Sequence, residues 1–160
     1  MPVIEMDYAI VRVAKANYPL FDDMVFFRIH GRERNRQEFA ESKNFDAVYQ
    51  TLDDKNLHIF AVLLDGEFVA WISAVYIPKV GRTNGKGHLF VDELYVSPAY
   101  RQRGLAKALL ERAELLAKEI GALGLRLYVN TDYAEAIALY KKCGYSTQGE
   151  ALFMNKEWND

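Results

Sequence analysis

Val96-Ser-Pro-Ala-Tyr-Arg-Gln-Arg-Gly-Leu-Ala106 joins a run of strand-forming residues to the longest helical pattern in the chain. Downstream, Gly104–Gly121 reads as a helix whose Leu105, Leu109, Leu116 and Ile120 share one face. Lys107, Glu111, Glu114 and Lys118 form an exposed row on it at spacings of four and three. Upstream, Leu89–Val96 alternates like a strand. Gly104 and Ala106 leave little side chain at the helix start, so a ligand can approach the backbone closely. The first-turn N–H groups have no intrahelical acceptor, and the dipole adds about half a positive charge. Such a turn is suited to a diphosphate, and Arg101 and Arg103 strengthen the field there. The alternative is a Pro-initiated loop whose glycine only eases packing, and this stretch alone does not choose between the two.

Outward from the junction, residues 8–14 read as a first strand. Pro19 opens a helix carrying Phe21, Met24, Val25 and Ile29, and a second helix is expected from Gln37 to about Leu52. Leu57–Leu64 and Glu67–Ile77 are strands joined by the hairpin pair Asp65-Gly66. A polar loop fills Pro78–Gly87. Leu125–Val129 is a strand, Tyr133–Lys142 a short helix, and Tyr145–Trp158 is expected to hold one or two last strands. The order β-α-α-β-β-β-α-β-α-β predicts one mixed α/β domain over 1–160.

The 160 residues are half hydrophobic and a quarter charged, which is the profile of a globular domain able to bury a core unaided. Twenty basic against twenty-two acidic residues argue against bulk affinity for nucleic acid or an anionic membrane. The lone Cys143 excludes an intrachain disulfide. The longest strictly apolar run, Ile59 to Leu64, falls short of the roughly 20 residues of a membrane span. With no basic-then-apolar leader pattern at the start, a cytoplasmic protein is expected.

Arg-x-x-Gly-x-Ala at 101–106, preceded by Tyr100, resembles motif A of the GNAT superfamily of acyl-CoA-dependent N-acetyltransferases. Thirty positions on from Ala106, Ala136-Ile-Ala-Leu-Tyr-Lys-Lys-Cys-Gly-Tyr145 is similar to that superfamily's next motif, A-I-x-L-Y-x-K-x-G-F/Y. The resemblance implies a mixed, mostly antiparallel sheet, splayed at the cofactor site and flanked by about four helices. It implies acetyl-CoA as co-substrate without a metal, and direct transfer to a primary amine of a small molecule. Leu94, Tyr95 and Val96 would lie along the acyl arm, with a backbone N–H, that of Val96, meeting the oxyanion. The amides of Arg101, Gln102, Arg103, Gly104, Leu105 and Ala106 would hold the diphosphate, and Tyr133 and Ala136 would border its outer part. Tyr140 matches the residue that protonates the CoA thiolate. Gln102 and Ala106 stand where glycines are usual, and Tyr133 where asparagine is. Family members often pair as homodimers. Transfer to a protein lysine or N-terminus, or a non-catalytic acyl-CoA-binding module, are the alternatives.

An alkylamine with pKa near 10.4 is free base in only about one molecule in 2,500 at pH 7, so a general base is valuable. Asp92 and Glu93 are adjacent acids on the strand beside the acyl site, and alternation would put them on opposite faces. Asp-Glu-Leu-Tyr-Val at 92–96 is similar to the Glu-Asp-x-x-Val strand of polyamine acetyltransferases. That likeness gives the basic role to Asp92, through a water, with Glu93 second; a merely solvated strand acid is the competing reading. Arg28, His30, Arg32, Arg34 and Arg36 form a basic run, readable as recognition of an acidic substrate group or as a loop balanced by Glu33, Glu38 and Glu41. His30, His58 and His88 have no metal-ligand spacing, although His88 could border the acceptor cleft. Gly81-Arg-Thr-Asn-Gly-Lys-Gly87 lacks the spacing and hydroxyl of a P-loop. Cys143 is expected to be a packed thiol.

Overall fold

A computed structural model describes residues 6–40 and 44–159. Residues through Tyr128 form one compact unit, and Val129–Asp160 a second. The first holds a five-stranded sheet whose spatial order follows the chain: β1 (Ala9–Arg12), β2 (Leu57–Leu64), β3 (Glu67–Ile77), β4 (His88–Val96) and β5 (Leu125–Leu127). The first four strands pair antiparallel, and β5 runs parallel to β4. Asp65 and Gly66 take φ of 50° and 81°, the left-handed pair that a two-residue hairpin requires.

Alternation assigns each strand residue to a face. Ala70, Ile72 and Ala74 of β3 are 0%, 0% and 1% exposed and share a face with Phe60 of β2, the register partner of Ile72. The helix α4 (Leu105–Ile120) lies on this face, burying Leu105, Leu109, Leu110, Ala113, Leu116 and Ala117, and its Arg112 guanidinium sits 4.4 Å from the Phe60 ring centre. The opposite face carries Ala61 and Trp71, which join Val13 and Met24 in a core under α1 (Tyr18–His30). Both predicted charge pairs on α4 are present, Lys107–Glu111 at 3.8 Å and Lys118–Glu114 at 3.0 Å.

Two expectations are corrected. The helix expected over 37–52 is two: α2 (Arg36–Ala40) and α3 (Asp46–Leu52). Each has its own start signal. The Asn35 and Glu38 side chains cap each other's backbone N–H at 3.0 Å, and Asn44 Oδ1 accepts from the Asp46 N–H at 2.9 Å. Residues 41–43, Glu41 among them, lie outside the described residues. No strand forms between Tyr145 and Trp158. A strand exists through its ladder, and among the described residues none pairs with this segment. The second unit is α5 (Ala134–Lys142) followed by irregular chain in which Leu152, Phe153 and Met154 are exposed.

The glycine-rich loop serves the β3–β4 connection. A Cβ at Gly87 would stand 1.7 Å from the Ile77 carbonyl oxygen, so only glycine fits. Its N–H donates to the Tyr76 hydroxyl at 3.1 Å.

Candidate active site

Strand β4 carries a bulge at its centre. Ser73 is the partner of Glu93 and Ala74 the partner of Val91, so Asp92 is an extra residue with no register partner. The insertion shifts the phase of alternation. Val91 and Leu94, three apart, both lie with the Ile72 face, while Glu93 and Tyr95 lie opposite Ser73 and Trp71. Asp92 and Glu93 are both exposed, so the simple alternation expected of them does not hold at this point.

Beyond Val91 the strand has, among the described residues, a neighbour on one side only. β5 pairs with Leu89, Phe90 and Val91 and goes no further. The Ser97 N–H donates to the Val69 carbonyl at 2.9 Å, toward β3. Backbone direction alternates along a strand, so the polar groups of Leu94 and Val96 point the other way, into the gap that β5 leaves. The Val96 carbonyl there accepts from Arg101 Nε at 2.9 Å.

The turn that follows is left-handed twice. Gln102 has φ 60° and Gly104, the residue before α4, φ 81°. The first position explains why glycine is usual there in proteins with the motif: a non-glycine residue in this region costs about 1–2 kcal/mol. The first intrahelical bond is from the Ala108 N–H to the Gly104 carbonyl. The amides of Leu105, Ala106 and Lys107 precede it, and no side chain caps them. No acid occupies the first turn. A Cβ on Gly104 would meet nothing within 4 Å among the described residues, so the helix start is sterically open to them. Arg103 lies beside this opening with its guanidinium 5.7 Å from the Tyr100 ring. Donors, dipole and arginines make the turn chemically fit for a diphosphate.

On the α1 side, Glu93 is already engaged. Its Oε2 accepts from Arg28 Nη1 at 2.9 Å, and the Arg28 guanidinium lies 5.0 Å from the ring centres of both Trp71 and Tyr95. Asp92, by contrast, has no hydrogen bond or ion pair among the described residues. The rest of the basic run is balanced by acids. Arg32 pairs with Glu38 at 2.8 Å, holding that carboxyl down at about 2 through its hydrogen bonds. Arg34, 8% exposed, bridges Asp22 and Asp23. The balanced-loop reading therefore holds for Arg32, whose partner is Glu38, whereas Arg34 is buried against two acids of α1 that the reading did not name. Sequence reasoning did not single out Trp71, because its place opposite Tyr95 is a matter of register.

The second unit holds the remaining candidates. Tyr133 precedes α5 and is exposed, and Ala136 is in its first turn. The Tyr140 ring packs 5.8 Å from that of Tyr145, and burial raises its phenol above the ordinary value. The Cys143 N–H closes the helix onto the Leu139 carbonyl, and the residue is half-buried. His88 opens β4, four residues before Asp92 and hence about 13 Å along the strand, outside the bulge; burial is the main influence lowering its pKa. No group of three metal-ligating side chains occurs among the described residues. A cavity of about 290 Å³ beside β1 is lined by Val13, Lys15, Leu52 and Asp53 and contains none of the candidate residues.

The acetyltransferase (GNAT) family model matches residues 24–145. A spermidine N(1)-acetyltransferase of Escherichia coli strain K12 is 31% identical over 138 residues, covering 78% of this chain and 69% of that protein. One from Thermoplasma acidophilum is 24% identical over 126 residues, covering 77% of this chain and 73% of that protein. An aminoglycoside acetyltransferase structure from an uncultured soil metagenomic sample has TM-score 0.78 at 21% identity, over 96% of this chain and 100% of that one. AAC(6')-Iy in complex with a CoA bisubstrate analogue has TM-score 0.72 at 16% identity, over 95% and 99% of the two chains. The structural likenesses establish the fold.

Proposed function

The chain belongs to the acetyltransferase (GNAT) family, and from that premise we propose that it moves an acetyl group from acetyl-CoA directly to a primary amine of a small molecule, as one domain made of both units. The observation that carries the reading is the unpaired half of β4 beside the uncapped start of α4. The amides from Arg101 to Ala106, with Arg101 and Arg103, hold the diphosphate. Leu94, Tyr95 and Val96 lie along the pantetheine arm, with the backbone groups of Leu94 and Val96, which face away from β3, turned toward it. Tyr133 and Ala136 border the outer part of the cofactor. Acetyl-CoA supplies an acyl group activated as a thioester.

Asp92 takes the ammonium proton through a water, which the amine must lose before its lone pair can attack. The Val96 N–H donates to the carbonyl oxygen as it gains charge. Tyr140 gives its proton to the departing thiolate. Its phenol, raised by burial, stays protonated across neutral pH and above, so the proton is in place when the C–S bond breaks.

Two relatives are named as spermidine acetyltransferases and two structural neighbours as aminoglycoside acetyltransferases, which supports small polyamines and aminosugars as first acceptors to test. The deciding experiment is CoA release from acetyl-CoA across a panel of diamines, polyamines, aminoglycosides, amino acids and lysine peptides. Turnover on the small amines supports the reading. Turnover confined to peptides moves the acceptor to protein. Stabilisation by saturating acetyl-CoA, about 2.7 kcal/mol at 100 times Kd, with no turnover on any amine makes the chain a binding module.

Tyr140→Phe is expected to lower kcat modestly, about tenfold, with a deficit that grows as pH rises. A thiol near pKa 8.5 is protonated readily by solvent below that pH and poorly above it. Equal kcat for both proteins at every pH removes Tyr140 from the proton path.

A further inference from the structure

The contacts around Arg28 describe a cation-binding site occupied by the protein's own side chain. Trp71 and Tyr95 are register partners on adjacent strands, with ring centres 4.7 Å apart. Arg28 reaches from α1 to lie 5.0 Å from each ring centre, and Glu93, two residues before Tyr95, closes the arrangement with a 2.9 Å ion pair. Two π faces and a carboxylate attract a cation. Trp71 is 2% exposed, whereas the Arg28 and Glu93 side chains are 44% and 48% exposed. The guanidinium is thus an accessible cover over a buried aromatic floor. Tyr95 lies between Leu94 and Val96 on β4, three residues past the bulge residue Asp92.

We propose that Trp71, Tyr95 and Glu93 form a receptor for an alkylammonium group of the acceptor, and that Arg28 is its internal occupant, displaced when the acceptor binds. The assignment rests on the amine-acetylating reading above and names the acceptor class within it. The attacking nitrogen must be neutral, so the ammonium held by the aromatic floor is a different nitrogen. The site therefore selects acceptors with a second cationic nitrogen, diamines or longer polyamines, over monoamines. Arg28 sets the threshold. A monoamine whose one nitrogen is the attacking nucleophile has none left to replace it, while a second ammonium exchanges with the guanidinium on the same three partners. Glu93 is a binding residue in this scheme, and Asp92 is left free as the base.

The chain has two tryptophans, Trp71 and Trp158, so Trp158→Phe makes Trp71 the only indole reporter. Titration of that protein with tetramethylammonium chloride and with 1,4-diaminobutane, against sodium chloride at equal ionic strength and without acetyl-CoA, reads cation binding with no chemistry. A saturable change in Trp71 emission is expected with both organic cations and none with sodium. Adding Arg28→Gln is expected to tighten both about tenfold, Arg28→Lys to give an intermediate change, and Glu93→Gln to abolish the gain. Circular dichroism checks that each variant is folded; Arg28→Lys, which keeps the charge, carries the comparison if Arg28→Gln is not. Unchanged or weaker affinity on replacing Arg28, or a response equal to that of sodium chloride, overturns the proposal. Loss of turnover on acidic acceptors alone in the Arg28 variants overturns it in favour of an anion-recognising arginine. Cation binding without turnover on any amine refutes acetyl transfer and leaves the receptor standing. Turnover whose KM ratio between diamine and monoamine ignores Arg28 refutes the receptor and leaves transfer standing.

Discussion

Asp92→Asn is expected to lower kcat/KM on amines at neutral pH by about 10²–10³-fold, the usual contribution of a positioned general base. Folding and CoA affinity are expected to stay as in the parent protein, because Asp92 is exposed and has no partner among the described residues. The defect carries a pH signature. The free-base fraction of an alkylamine rises about tenfold per pH unit up to its pKa near 10.4, so the deficit of the variant shrinks toward alkaline pH. Steady-state rates between pH 6.5 and 9.5 measure it. A loss smaller than threefold at every pH, with a larger kcat loss in Glu93→Gln, transfers the role to Glu93. The structure gives the reason for choosing between two adjacent acids. The bulge sets Asp92 outside the register, while Glu93 Oε2 already accepts from Arg28. An acid that must first part from a guanidinium is a slower proton acceptor than one that faces solvent alone.

The distinction between those two acids also marks how far the sequence can be read. The α4 face, its charge row and the Asp65-Gly66 hairpin were legible because each depends on residues within one or two turns of one another. The turn from β4 into α4 was legible for the same reason, and the left-handed φ at Gln102 accounts for the glycine that the motif usually has there. One inserted residue in β4 leaves no trace in composition or period, so the bulge at Asp92 and the changed facing of Glu93 became visible only with the register. The nearness of Trp71 to Arg28 was invisible because Trp71 lies opposite Tyr95 across a ladder. Arg28 was noticed for its charge, yet its partners are 43 to 67 positions away in the chain. The break between α2 and α3 had a local signal in Asn44, outweighed in the reading by the apolar period running past it. The strands expected after Tyr145 fail for a different reason: residues with strand propensity do not make a strand without a partner edge.

Gly104→Leu is expected to weaken CoA binding by about 100-fold or more while costing about 1–2 kcal/mol of stability, the penalty of a side chain in the left-handed region. The two effects separate because they have different physical sources. At φ 81° any L-residue is strained, but a Cβ there meets nothing within 4 Å, so the free protein tolerates the side chain sterically. The open space is the approach to the first-turn amides of α4, which no side chain caps. A leucine side chain fills it and holds the diphosphate away from its donors. The strain is present with and without CoA, so it appears in the melting temperature and largely cancels from the binding constant. Calorimetric titration of CoA and thermal melts on the same preparation read the two quantities. Gln102→Gly is the matched control: it removes a left-handed non-glycine residue from the same turn without adding bulk, and is expected to keep CoA affinity at the parental level or above. If Gly104→Leu loses stability but keeps its affinity for CoA, the turn is a structural corner and the diphosphate binds elsewhere on the domain.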